Sequence, residues 1–115
     1  MITAIKSFKY AVRGLKSTWK EEQNFKIEVF VGFIVLFYAF YFSFTFAETV
    51  FCLIAVVMVL VAEIINTIVE DLCNKIQPNQ DPVIEKIKDM SAAFVLVTVF
   101  GSIGVGLLVL INHFT

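Results

Sequence analysis

The chain has 115 residues, of which 59% are hydrophobic and only 17% charged, and its mean hydropathy is +0.87. A single soluble domain of this size could not cover its surface with so few polar groups, so the balance points to a bilayer as solvent. The net charge of −1 gives no cationic footprint for nucleic acid, and two cysteines are too few for a disulfide scaffold.

In chain order, residues 1–28 form a charged amphipathic stretch. Ile5, Phe8, Val12, Leu15 and Trp19 recur at helical spacing, with Lys6, Lys9, Arg13, Lys16 and Lys20 as a parallel basic stripe. This is the pattern of a helix lying in a membrane interface, its lysines meeting anionic headgroups. Glu22 continues the apolar stripe three residues after Trp19 and is not explained by anchoring alone. No cleavable signal peptide is expected, because the first long apolar run begins only behind this stretch.

Three spans are predicted, at 29–47, 49–76 and 82–112, the first two joined by a short turn. All nine basic residues fall before the first span or in the facing ends of the second and third, around the loop that joins them, which predicts a cytoplasmic N-terminus and an external C-terminus. Pro78 ends the second helix, and Asp81-Pro82 reads as an N-cap followed by proline at the first helical position. The third helix then exceeds the membrane core, so its first turns project into the cytoplasm. Cys52 and Cys73 should lie at opposite ends of the second span, too far apart to pair.

The second span carries the chemistry. Glu63, Asn66 and Glu70 stand at i, i+3 and i+7, on one helical face. Counted from Thr49, Glu63 lies roughly 21 Å along the axis and Glu70 about 31 Å. Glu70 therefore reaches the cytoplasmic interface while Glu63 stays in the apolar zone, where an ionisable group is costly and marks function. A polar contact between helices is the plainer alternative. Lys88-Asp89-Met90, Glu22 and Glu28 fall in the same layer. Carboxylates for Mg²⁺, a lysine for phosphate charge and a base for a hydroxyl are what phosphoryl transfer needs. No glycine-rich nucleotide loop is present. A proton-coupled transporter with Glu63 as carrier, or a structural or pore-forming subunit, remain open on these grounds. The transporter reading wants its acid nearer mid-membrane, and the structural reading leaves the clustering unexplained.

The segments Glu63-Ile64-Ile65-Asn66-Thr67-Ile68-Val69-Glu70 and Lys88-Asp89-Met90-Ser91-Ala92-Ala93, with Gly14-Leu15-Lys16, Trp19, Glu22, Phe25 and Glu28 before them, resemble the small prokaryotic diacylglycerol kinases, which include undecaprenol kinases. The resemblance runs without gaps from about Phe8 to the C-terminus. It implies an all-α membrane protein of the cytoplasmic membrane, a homotrimer with shared sites, and ATP- and Mg²⁺-dependent phosphorylation of a membrane lipid. It assigns Glu63 as general base, Glu22 and Glu70 as metal ligands, and Lys88, Asn66 and Asp89 to the nucleotide. Tyr10 and the loop Asn79, Gln80 and Asp81 match positions near the nucleotide. Arg13, Lys16, Trp19, Glu28, Glu63 and Ala92 are carried over to the lipid side. Ile68 and Asp81-Pro82 depart from the usual alanine and histidine. Diacylglycerol is the preferred substrate over undecaprenol, on Trp19 and the ending His113-Phe114. His113 itself reads as a plain interfacial residue, Asp71 and Glu85 as solvated charges, and Gly101, Gly104 and Gly106 as points of close helix approach.

Overall fold

The computed structural model describes residues 2–115 as four helices: α1 (Ile2–Glu21), α2 (Gln23–Tyr41), α3 (Phe46–Ile76) and α4 (Pro82–Phe114). Met1, the start of the expected surface segment, lies outside the described residues. The last three helices are long and apolar enough to cross a membrane. In a bilayer, helices of this kind keep all interior backbone hydrogen bonds within themselves.

The breaks differ from those expected, each for a local reason. Residues 1–28 do not form one helix: Glu22 is extended (φ −112°, ψ 108°), and α2 begins immediately after it. The first span is therefore Gln23–Tyr41 rather than 29–47. Its end is set by a turn whose residues are mostly phenylalanine, which hydropathy cannot tell from a span. Ser43 adopts φ 54°, its N–H donates to the Phe40 carbonyl, and the Phe44 N–H donates to the Ala39 carbonyl at 2.9 Å. This is a Schellman ending with serine where glycine is usual. Two residues later Thr45 opens α3 with a reciprocal capping box: its hydroxyl accepts from the Glu48 N–H, and the Glu48 carboxylate accepts from the Thr45 N–H. Such a cap stabilises a helix by about 1 kcal/mol. At the other loop the expected boundary holds, with the Asp81 carboxylate accepting from the Val83 and Ile84 N–H groups.

In sequence order the helices pack α1 on α2, α2 on α3, and α3 on α4. Among the described residues the core along α3 is thin: Cys52, Val59, Ala62 and Cys73 are buried there, with Ala39 and Phe25 from α2 and Val109 from α4. Both cysteines are free. Lipid replaces water around such a bundle, so association rests on close packing and interhelical hydrogen bonds. The Ser102 hydroxyl supplies one of these, donating across to the Ala55 carbonyl at 3.0 Å.

At the end of the bundle opposite the α3–α4 loop, His113 is not a plain interfacial side chain. Its Nδ1 lies 3.0 Å from Oε1 of Glu48, while Asn112 Nδ2 donates to Oε2 at 3.1 Å. Glu48, only 4% exposed, thus ties the α2–α3 turn to the last turn of α4. Phe44 packs on the His113 ring, with centroids 4.6 Å apart.

The close approach of helices also falls elsewhere than expected. Nothing lies within 4 Å of a Cβ placed on Gly101, Gly104 or Gly106, whereas one on Gly32 would meet Val56 Cγ1 at 2.6 Å. Gly32→Ala is therefore expected to lower thermal stability in detergent by about 1–3 kcal/mol, the usual cost of overpacking. Gly101→Ala should leave the midpoint essentially unchanged, and equal effects of the two would contradict this packing.

Candidate active site

α3 lies between α2 and α4, so its polar face is covered from both sides. Glu63 is 3% exposed and Asn66 9%, with Thr67 also buried and Glu70 half-buried. The Thr67 hydroxyl donates to the Glu63 carbonyl at 3.0 Å, satisfying itself within the helix. Asn66 works across helices: its Nδ2 donates to Glu70 Oε1 at 3.3 Å, and its Oδ1 accepts from the Ser91 hydroxyl of α4 at 2.8 Å. The i, i+3, i+7 spacing thus produces a layered site, with Glu63 and Glu70 about 10 Å apart along the axis.

Around this face the charges are of one sign. Glu63 is within electrostatic range of Glu28, Glu22 and Glu70. Glu22, at the α1–α2 break, has its carboxyl pKa raised by partial burial and then by the charges of Glu70, Asp71 and Glu21, with the Thr67 hydroxyl opposing. Asp71, exposed as expected of a solvated surface charge, also adds to the repulsion at Glu22. The structure brings together the four acids that sequence reasoning singled out, from α2, α3 and the α1–α2 break.

Other expected site residues stand apart. Tyr10, Arg13 and Lys16 are exposed on α1, where the Arg13 guanidinium covers the Tyr10 ring at 5.5 Å. Trp19 is exposed beneath Lys26, whose Nζ is 5.8 Å from its ring centroid. Asn79 and Gln80 sit in the exposed α3–α4 loop, and Asp89 and Ala92 are exposed on α4. Asp81 serves as the α4 cap, so its carboxylate is engaged by the backbone. Lys88 donates to the Asn74 amide oxygen. Asn74 and Ser91 went unassigned from sequence. Asn74 had a legible signal, since it follows Glu70 by one turn on the same face. Ser91 had none, because only the α3–α4 register shows what its hydroxyl meets.

Among the described residues no three acidic, histidine or cysteine side chains are close enough to hold a metal ion by themselves. The donor chemistry nevertheless suits Mg²⁺. This ion is usually held by one or two carboxylates, with phosphate oxygens and water completing its shell. The described hydrogen bond to Glu70 engages Oε1 alone, and the neighbouring Glu22 carries repulsion that a cation would relieve.

The bundle thus gathers buried and half-buried acids on one face of α3, with Lys88 held at its α3–α4 end. The chain matches the family model for prokaryotic diacylglycerol kinase over residues 9–110, and it belongs to that family. It is similar to a diacylglycerol kinase of Haemophilus influenzae, with 29% identity over 106 residues covering 90% of each chain. The protein is a lipid kinase with membrane helices.

The raised Glu22 pKa has a signed consequence. A carboxyl whose folded pKa exceeds its unfolded value binds its proton more tightly when folded. The resulting stability is full below the unfolded pKa and is lost as pH rises through the folded one. Glu22→Gln should therefore melt higher than the parent at pH 8 in chelator, and the advantage should shrink as pH falls towards the ordinary carboxyl range. A variant less stable than the parent at pH 8 would contradict the repulsion.

Proposed function

We propose that the protein transfers the γ-phosphoryl group of ATP to the hydroxyl of diacylglycerol, giving phosphatidic acid, at the cytoplasmic face of the cytoplasmic membrane. The observation that carries this reading is the polar face of α3, with Glu63 buried and Glu70 half-buried about two turns nearer the α3–α4 loop. A lipid hydroxyl near headgroup level reaches the first acid from the bilayer, and a soluble nucleotide reaches the second from water.

In this reading Glu63 takes the proton of the lipid hydroxyl as its oxygen attacks. Glu22 and Glu70 would hold Mg²⁺, which would supply positive charge at the ATP phosphates. Lys88 is anchored to Asn74, a neutral partner that does not compete with phosphate as a carboxylate would. Asn66 and Asp89 complete the nucleotide side. The helix α1 lies in the interface: its Ile5, Phe8, Leu15 and Trp19 are exposed and need lipid, while its basic stripe faces headgroups. A homotrimer with shared sites fits the exposed Asp89 on α4 and the partial exposure of Glu22, Glu28 and Glu70 in one chain.

The test is a mixed-micelle assay of the purified protein with ATP and Mg²⁺, offering diacylglycerol or undecaprenol. Phosphorylation of diacylglycerol is expected, and preference for undecaprenol would reassign the substrate. Glu63→Gln should lose at least about a hundredfold in kcat, the usual minimum for a general base, while still binding ATP. No product from either lipid would sink the reading, and full activity of Glu63→Gln would remove it from the base role.

A further inference from the structure

We infer that Ser91 is a positioning residue for phosphoryl transfer, orienting Glu70 towards the metal–nucleotide through the Asn66 amide. The inference rests on the kinase reading above and adds a residue to it. Ser91 is half-buried on α4, one turn after Lys88, and its hydroxyl is 2.8 Å from Asn66 Oδ1. Asn66 is 9% exposed, so water cannot readily take over either side of its amide.

An asparagine amide has two orientations, related by a half-turn, that differ in which end donates. Glu70 decides between them, because an ionised carboxylate only accepts and so requires Nδ2 to face it, as it does at 3.3 Å. Oδ1 then points towards α4 and needs a donor there. Ser91 supplies one without adding charge to a site already crowded with acids. The chain Ser91 → Asn66 → Glu70 therefore fixes Glu70 Oε1 from behind and leaves the other oxygen to be directed at a cation. This matches the way second-layer hydrogen bonds orient carboxylate ligands. Removing the hydroxyl leaves Oδ1 without a donor. Turning the amide over would oppose Oδ1 to the Glu70 carboxylate, so neither orientation remains well satisfied.

The experiment compares the parent with Ser91→Ala and Ser91→Thr. Turnover is measured against Mg²⁺ at saturating lipid and ATP. Mn²⁺ affinity is read separately, from the loss of the free-ion resonance in the presence of a non-hydrolysable ATP analogue. Ser91→Ala should raise the half-saturating concentration of both metals about fivefold, the loss expected for one net hydrogen bond, with the lipid KM unchanged. Ser91→Thr keeps the hydroxyl and should return both values to within about twofold of the parent. Unchanged metal dependence in Ser91→Ala would overturn the inference. So would a loss that appears equally in lipid KM and thermal midpoint without a metal effect, which marks packing alone. A parent without turnover would remove the kinase reading and this inference with it.

Discussion

The structure depends on how one long helix carries acids through an apolar medium. An ionised carboxylate within the bilayer costs at least a few kcal/mol unless it is paired or opens to water. α3 carries four acids, of which Asp71 is exposed while Glu48, Glu63 and Glu70 are buried or half-buried, and the rest of the chain is arranged around the different solutions of these three. Glu48 is closed off: the Thr45 N–H, the Asn112 amide and His113 all lie against its two oxygens. That end of the bundle is a hydrogen-bonded network that joins α4 to the α2–α3 turn.

The opposite end has the reverse character. Glu63 and Glu70 are surrounded by further acids, Glu22 and Glu28, and by a single amide that is itself held from α4. Like charges gathered beside a depth boundary raise the free energy of the empty site, and a cation with its nucleotide would lower it. On the reading proposed above, the same α3 has a structural acid at one end and reactive acids at the other. The difference lies in the partners, since all three are glutamates on one helix. The chain belongs to a family of lipid kinases, and the reading proposed above assigns their chemistry to this end.

Much of this was legible in the sequence because its strongest signals are also the physics of the fold. Apolar run length, helical periodicity and the Asp81-Pro82 cap gave the spans and the α3–α4 loop. The spacing of Glu63, Asn66 and Glu70 gave the face they share. What failed was local and tertiary. Hydropathy ran through Phe42 and Phe44, although the backbone turns there, and the helical stripe ran through Glu22, although the chain is extended there. The pairing of Glu48 with His113, separated by most of the chain, has no local signature, and neither has the contact of Ser91 with Asn66. Gly32 went unnoticed beside the more conspicuous Gly101, Gly104 and Gly106, because only the crossing of α2 with α3 shows which glycine meets Val56.

The central claim is that the polar face of α3 crosses the boundary between lipid and water, with Glu63 on one side and Glu70 on the other. Spin labels at Met58 and Ile76, exposed positions that bracket the acids, measure this directly in bilayers through relaxation by oxygen and by a water-soluble nickel complex. The account predicts that Met58 relaxes with oxygen and Ile76 with nickel, the crossover falling between the depths of the two glutamates. Labels that both report lipid, or both report water, would contradict it.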